Sequence, residues 1–316
     1  MTLHELRNSK ALAFACIIFV LLVLTACGGG GNGGEPSIPE PRYSYRIPAA
    51  KADGWSTASA GSLGMSEQLL ELMMNSMASD FDIVDSIAIA YRGRLVLDET
   101  LRTATDTFDE WADNTDPAMH ALFSMSKSLA SIAIGIAIDQ GIIDDVSAPY
   151  LELFPYATYE NWDDRKNDIV LEDVLTMRLG LEWNEWDPPY SSMDNEMVRF
   201  YETQTDFSKA LLDLPMSSDP GTAFAYSTPS TVSLGQAIEN NGPLTLLDFG
   251  LVNIVAPLQI SEIEVLTTPT GLPDLGRGLY LAARDLLKFG QLLADGGQWN
   301  GQQIVSEAWA DVSTQP

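Results

Sequence analysis

The sequence predicts an α/β fold: an antiparallel sheet flanked by helices, beside a mostly helical region. Two short runs rich in β-forming residues, 86–91 and 94–98, stand on either side of Arg92-Gly93, which is typical of an antiparallel hairpin. Apolar residues recur with helical spacing over 66–78 and 279–294. Because 46% of its 316 residues are hydrophobic, the chain can bury a substantial core.

The N-terminus is predicted to be a targeting segment, a signal peptide of residues 1–26. It contains two basic residues and an apolar run, 11–24, that is short for a membrane span. Leu24-Thr25-Ala26-Cys27 follows and resembles the lipobox of bacterial lipoproteins, in which cleavage precedes a cysteine whose thiol is then lipidated. Cys27 is therefore the predicted lipidation site, and an ordinary signal peptide with an incidental cysteine is the simpler alternative.

Residues 27–60 are predicted to be the lipid anchor and a flexible linker, because glycine fills most of 28–34 and such a tract gives an anchored domain a flexible tether. Residues 61–316 are predicted to form the globular domain. Together these segments predict a protein of the bacterial cell envelope. A lipid on Cys27 would hold it to the membrane, and its domain would face the periplasm or the exterior.

Charge and cysteine content exclude several kinds of partner. A net charge of −27 argues against nucleic-acid binding, because the protein would repel phosphates. Of the two cysteines, Cys16 lies in the apolar run and Cys27 would be lipidated. The mature chain then has no thiol for a disulfide or a metal site, and no metal or organic cofactor is expected.

The predicted helices share an apolar period near 3.6 residues and polar or glycine ends. They cover 66–78 with Ser66 as cap, a segment ending at Gln140 with Gly141 after it, 171–178, 230–240, and 279–294. Pro188-Pro189 excludes a regular helix over 181–190.

The most informative chemical signal is Ser124-Met125-Ser126-Lys127, which runs directly into the apolar segment 132–138. A serine and a lysine three residues apart share one helix face, so the lysine amine can reach the serine hydroxyl and accept its proton. Four residues alone are a weak signal. An ordinary helix start, with Ser124 as N-cap and a solvated Lys127, has the same sequence.

The small number of histidines favours a lysine as the catalytic base. The chain contains two, and His4 lies in the targeting segment, so a Ser-His-Asp triad would have to use His120, four residues before Ser124. No G-x-S-x-G motif occurs. A lysine-dependent serine hydrolase fits these residues, and His120 is expected to be structural.

Several motifs follow the hairpin in a specific order. They are Phe123-Ser-x-x-Lys127, Gly141-Ile-Ile-Asp-Asp145, Leu175-Thr-Met-Arg-Leu-Gly180, Pro220-Gly-Thr-x-Phe-x-Tyr-Ser227 and Gly278-Leu-Tyr-Leu-Ala-Ala-Arg-Asp285. In this order the chain resembles the serine β-lactamase and penicillin-binding-protein superfamily. It is most similar to the class C-like branch of carboxylesterases, D-aminopeptidases and 6-aminohexanoate-dimer hydrolases. The resemblance covers residues 66–316 and implies a β-lactamase-like fold.

The resemblance also implies roles for three residues. Ser124 would be the acylated nucleophile, Lys127 would help to deprotonate it, and Tyr226 would act as a general base and proton shuttle. For this the pKa of Lys127 must fall from about 10.4 towards neutrality, which burial and a helix N-terminus both favour. The backbone N–H of Ser124 would form part of the oxyanion hole.

Three residues are predicted to bind substrate: Thr228, Trp183 and Trp186. Thr228 stands where lactamases of the superfamily carry an asparagine whose amide contacts the substrate, and a hydroxyl replaces that amide poorly. This favours esters or amides over β-lactams. The two tryptophans lie in a proline-containing loop. Packing anchors are the commoner role of such residues, but aromatic loops also line pockets, so a substrate role stays open.

One motif of the superfamily is absent. No Lys or His followed by Thr or Ser and Gly occurs after Tyr226. The resemblance therefore implies a chain truncated at its C-terminus, without the last strands of the sheet and the final helix. Such a chain is expected to be poorly stable or inactive alone.

The favoured function is that of a lipid-anchored serine hydrolase acting on a small-molecule ester, amide or peptide through a Ser124 acyl-enzyme. Two alternatives remain open. One is a penicillin-binding D,D-peptidase or β-lactamase activity with the same residues. The other is a non-catalytic envelope lipoprotein of the same fold.

Overall fold

The computed structural model describes residues 43–80, 84–102 and 118–315. The predicted signal peptide, Cys27 and the first part of the linker lie outside the described residues. Two compact units divide the chain: residues 184–203 belong to one, and residues 43–183 with those from Gln204 onward form the other, called here the main unit.

The helices and strands of the main unit alternate along the chain. The helices are α1 (Glu67–Asp80), α2 (Ser126–Asp139), α3 (Leu171–Leu175), α5 (Phe207–Leu212), α6 (Thr228–Asn241), α7 (Leu246–Gly250), α8 (Ala283–Ala294) and α9 (Glu307–Ser313). The strands are β1 (Ser86–Tyr91), β2 (Arg94–Thr100), β3 (Met119–Ala121), β4 (Glu264–Val265), β5 (Leu279–Ala282), β6 (Gln298–Trp299) and β7 (Gln302–Gln303).

β1 and β2 form the predicted antiparallel hairpin, which continues to Thr100. Arg92 and Gly93 both have positive φ, 51° and 70°, as a two-residue turn that matches strand twist requires. β2 is the buried strand, because Leu95, Val96 and Leu97 are fully buried. The hairpin prediction is therefore confirmed.

A second antiparallel sheet has the order β3-β5-β4. It corrects one prediction: residues 279–282 are a strand, and the helix predicted for 279–294 begins only at Ala283. Leu279, Tyr280 and Leu281 are all buried, and their backbones pair with β3 on one side and β4 on the other. Strand pairing outweighs the local helical period there, because β propensity depends on neighbours that are distant in sequence.

The other helix predictions hold with small shifts, except that the helix predicted for 171–178 ends at Leu175. Ser66 Oγ accepts the N–H of Leu69 at 3.2 Å, so Ser66 begins α1 as predicted. Gly141, with φ of 68°, follows the end of α2. α6 begins earlier than predicted, because Ser227 Oγ accepts the N–H of Ser230 and Pro229 fits the first helical turn.

The apolar helix α2 runs through the core. Ile132, Ile134 and Ile136 are all but fully buried, and the helix contacts both α6 and α9. Gly135 lets α9 approach closely: a Cβ at this position would lie 2.5 Å from the Trp309 ring. The turn that begins α2 is thereby held on a rigid element.

Residues 43–60 have little regular structure, yet they pack against the rest of the main unit. Trp55 and Ala60 are buried, and Trp55 Nε1 donates to the Arg284 carbonyl at 3.1 Å. Asp53 forms a buried ion pair with Arg284, which also contacts Asp98. The packed unit thus begins before residue 61, where the sequence predicts the domain boundary.

The unit of residues 184–203 contains helix α4 (Glu196–Thr203). Asn195 precedes it, accepting the N–H of Val198 at 3.1 Å and donating to the carbonyls of Glu185 and Pro188. As predicted, the proline pair stands in a loop rather than in a regular helix. In the described part of the chain, no helix has the length and apolar character needed to cross a membrane.

Candidate active site

Ser124 lies in a single turn of 3-10 helix, Phe123–Met125, immediately before α2. The N–H of Leu122 donates to the Leu279 carbonyl at 2.9 Å, which fixes this turn against β5. Phe123 has φ of 45°, an unusual value for a bulky residue. Strained backbone of this kind clusters at functional sites. Ser124 itself is exposed, so a substrate can reach its hydroxyl.

Lys127, one turn later on α2, reaches back to Ser124. Its Nζ lies 3.2 Å from Ser124 Oγ and 3.1 Å from Thr228 Oγ1, and it donates to the Gly276 carbonyl at 2.7 Å. The side chain is half-buried. Three oxygens around one amine fix the position of Nζ, as a base or proton relay requires.

Tyr226 also contacts Ser124. Its Oη lies 2.7 Å from Ser124 Oγ, and its ring centroid lies 5.0 Å from Lys127 Nζ. Backbone hydrogen bonds hold its loop, because Ala225 N–H donates to the Met177 carbonyl at 2.9 Å and Gly221 N–H to that of Arg178 at 2.8 Å. The loop then ends in the capped start of α6.

The three predicted catalytic residues are therefore brought together, although Tyr226 is 102 residues from Ser124. A serine hydroxyl in contact with both an amine and a phenol has the groups that nucleophilic catalysis can use: one to take the proton and a second to relay it.

The three residues predicted to bind substrate differ in burial and in the unit to which they belong. Thr228 joins the cluster, but it is buried and its Oγ1 contacts Lys127. Trp183 is half-buried in the main unit, and Trp186 is 62% exposed in the unit of 184–203. A substrate contact of Trp183, Trp186 or Thr228 stays a prediction. His120 Nε2 lies 2.6 Å from Ser86 Oγ and links β3 to β1, in agreement with a structural role.

Sequence reasoning missed Gly276 and the neighbouring Asp274. Asp274 is buried, and its Oδ1 accepts the N–H of Gly276 at 2.9 Å. An aspartate followed two residues later by glycine is a signal for an Asx turn, which could have indicated this feature. No local sequence pattern indicated that this turn would contact Lys127.

A comparison with protein families identifies the chain. A model of the Beta-lactamase family matches residues 82–316, about three quarters of the sequence. The chain belongs to the Beta-lactamase family. The fold is accordingly the mixed helix and sheet architecture of that family.

Individual relatives agree with this assignment. The 6-aminohexanoate-dimer hydrolase of Paenarthrobacter ureafaciens is 28% identical over 199 residues, which cover 61% of this chain and 50% of that protein. A structure of a putative 6-aminohexanoate-dimer hydrolase from Bacillus anthracis has a TM-score of 0.59 at 20% identity, covering 84% of this chain and 67% of that one. A putative beta-lactamase from Bacteroides dorei has a TM-score of 0.57 at 19% identity, with 77% and 67% covered.

The chain spans half the length of this curated relative from Paenarthrobacter ureafaciens. At the identities of the solved structures, the likeness concerns the fold alone. Among residues 43–80, 84–102 and 118–315, no group of three or more histidine, cysteine, aspartate or glutamate side chains is arranged to hold a metal ion.

Proposed function

We propose that this protein is a serine hydrolase that cleaves ester or amide bonds in small molecules through an acyl-enzyme on Ser124. The observation that carries the proposal is the position of Ser124 Oγ, 3.2 Å from Lys127 Nζ and 2.7 Å from Tyr226 Oη. Membership of the Beta-lactamase family and the relative that is a 6-aminohexanoate-dimer hydrolase favour this class of reaction.

In the proposed first step, neutral Lys127 takes the proton of Ser124 as Oγ attacks the acyl carbon. A tetrahedral intermediate forms with its negative charge on the former carbonyl oxygen. It collapses by breaking the bond to the alcohol or amine, which leaves with a proton relayed through Tyr226. Water then attacks the Ser124 ester by the reverse sequence, releasing the acid and restoring the hydroxyl.

The substrate class proposed is a neutral ester or amide rather than a β-lactam. Thr228 has no amide to offer a substrate, and its hydroxyl already contacts Lys127 at 3.1 Å. The net charge of −27 also disfavours the approach of anionic substrates, which include penicillins.

The test is labelling of the purified protein with a serine-reactive fluorophosphonate, with the modified residue mapped by mass spectrometry. We expect an adduct on Ser124 that Ser124→Ala abolishes and Lys127→Met slows by at least about 100-fold. Ser128→Ala is the matched control, because Ser128 is an exposed serine on the same helix. It should label like the wild type.

Other results would favour the alternatives. A long-lived acyl-enzyme with penicillin, together with slow ester turnover, would favour a penicillin-binding D,D-peptidase. No adduct in a folded sample would favour a non-catalytic protein of the same fold, and would overturn the proposal for this chain.

We further propose that a lipid on Cys27 anchors the protein to the envelope membrane, with its domain facing the periplasm or the exterior. The apolar run, the Leu24-Thr25-Ala26-Cys27 sequence and the glycine tract support this proposal. Metabolic labelling with a fatty acid in a bacterial host would test it. Cys27→Ala should abolish labelling and release the protein from membranes, whereas Cys16→Ala should label normally. Equal labelling of both variants would contradict the proposal.

A further inference from the structure

The turn that precedes β5 is built around the carboxylate of Asp274. This residue is 3% exposed, and its Oδ1 accepts the N–H groups of Gly276 at 2.9 Å and Arg277 at 3.2 Å. Its own carbonyl accepts the N–H of Gly278 at 2.8 Å, and the Arg277 guanidinium lies 3.6 Å from Oδ2. These contacts fix the orientation of each peptide group in the turn.

Gly276 is pressed against the start of α6. A Cβ at this position would lie 2.8 Å from Thr228 Cγ2, 3.0 Å from the Thr228 carbonyl and 3.1 Å from Asp274 Oδ1. Any side chain would therefore force the turn and the helix start apart. The absence of one brings the Gly276 carbonyl to 2.7 Å from Lys127 Nζ, closer than Ser124 Oγ at 3.2 Å or Thr228 Oγ1 at 3.1 Å.

The chemistry of these contacts restricts how Lys127 can be oriented. A backbone carbonyl only accepts hydrogen bonds, so one N–H of the amine must point at Gly276. The Thr228 hydroxyl can accept a second N–H. When the amine is neutral, its two N–H groups are then occupied, and its lone pair can face Ser124 Oγ, 3.2 Å away.

We propose that Asp274 is a positioning residue for Lys127: by fixing the Gly276 carbonyl, it directs the lone pair of the amine at Ser124. The proposal rests on the proposed function of Ser124 and Lys127. Asp274 itself acts only through the Gly276 peptide and touches no reacting atom.

The groups that face Lys127 determine how the rate of Ser124 labelling should depend on pH. Ser124 faces it from the preceding turn, and the Tyr226 phenol faces it from the loop before α6. Thr228 faces it from α6 itself, and the charged pair of Asp274 and Arg277 adjoins the Gly276 peptide. The Gly276 carbonyl stabilises the ammonium form more than the neutral amine, because hydrogen bonds from charged donors are the stronger ones.

The test is the rate of fluorophosphonate labelling of Ser124 as a function of pH, measured for the wild type, Asp274→Ala, Asp274→Asn and Gly276→Ala. In Asp274→Ala and Gly276→Ala we expect the plateau rate to fall on the order of 10-fold, since the base is misoriented. The midpoint of the profile should also move to lower pH, since the ammonium form loses an acceptor. Asp274→Asn keeps an oxygen for both N–H groups and should resemble the wild type.

Gly290→Ala is the matched control, because Gly290 is exposed on α8 and a Cβ there would meet nothing within 4 Å. It should leave the profile unchanged. A merely structural role of Asp274 would lower the plateau without moving the midpoint, and that result in both Asp274→Ala and Gly276→Ala would overturn the proposal. If Asp274→Ala does not fold, as judged by circular dichroism, Gly276→Ala and Asp274→Asn decide the question.

The function of Ser124 and the role of Asp274 can be refuted separately. A wild-type protein whose Ser124 is not labelled would refute the proposed function, and the role of Asp274 would fall with it. A wild-type protein labelled at Ser124, with profiles for Asp274→Ala and Gly276→Ala that coincide with it, would refute only the role of Asp274.

Discussion

The phenol oxygen of Tyr226 lies 2.7 Å from the hydroxyl oxygen of Ser124. The two residues come from different elements, a loop before α6 and a turn before α2, and each is held by backbone hydrogen bonds to a third segment. Ser124 Oγ therefore has two polar side chains within 3.2 Å, those of Lys127 and Tyr226.

Removal of the phenol hydroxyl should impair the serine strongly. In Tyr226→Phe we expect turnover of a susceptible ester to fall on the order of 100-fold, because proton transfer to the leaving group loses its relay. Steady-state kinetics with a chromogenic ester would measure this. Tyr159→Phe is the control, since the Tyr159 hydroxyl makes only a 3.4 Å contact with the Leu151 carbonyl. Equal rates for both variants would exclude a catalytic role of Tyr226.

Thr228 should matter through its contact with Lys127. Thr228→Val keeps the shape of the side chain but removes the oxygen 3.1 Å from Nζ. Because that oxygen accepts an N–H of Lys127 and so helps to orient the amine towards Ser124, we expect fluorophosphonate labelling of Ser124 to slow at least about 10-fold. Thr158→Val, at an exposed loop position, should label normally. If Thr228→Val also labels at the wild-type rate, the contact is dispensable.

The buried ion pair between Asp53 and Arg284 should make stability depend on acid pH. Burial raises the pKa of the Asp53 carboxyl, but the hydrogen bond and positive charge of Arg284 outweigh it, so that the net pKa is lowered. A carboxyl whose pKa is lowered by folding stabilises the fold at pH values above its unfolded-state pKa of about 3.9. This stabilisation is lost as the pH falls through the folded pKa.

Asp53→Asn should therefore lower the free energy of unfolding by about 3 kcal/mol at pH 7, because Arg284 loses its buried partner. The difference from the wild type should shrink as the pH falls below about 3.9. Urea unfolding at pH 7 and at pH 3 would measure this difference in stability. Asp144→Asn is an exposed control that should match the wild type. A constant difference down to pH 3 would contradict the assignment.

The close approach of α2 and α9 gives a prediction about the fold. Gly135→Ala would place a Cβ 2.5 Å from the Trp309 ring, and such overpacking costs about 1–3 kcal/mol. Thermal unfolding should show a lower Tm. The same substitution at Gly290, where nothing lies within 4 Å, should leave Tm unchanged or raise it, because alanine favours the helix. Unchanged stability of Gly135→Ala would show that α9 can move aside.

The site residues that could be predicted are those marked by a pattern over a few residues or by a family motif. Ser124 and Lys127 are three residues apart, and helical spacing alone brings their side chains together. Tyr226 was predicted from the order of family motifs. Gly276, however, is 149 residues from Lys127, and no local pattern says that its carbonyl will meet that amine.

The sequence by itself determined the hairpin, the helices with strong caps, and the serine and lysine pair, because these follow from dihedral preferences and from periodicity over a few residues. Only the tertiary structure decided that residues 279–282 form a strand, that residues 43–60 pack against the rest of the main unit, and that Thr228 and Gly276 contact Lys127. Each of these depends on a partner far away in the chain. Backbone pairing and side-chain burial stabilise such contacts only once the whole chain has folded. The contacts therefore leave no period or motif in the sequence at the positions themselves.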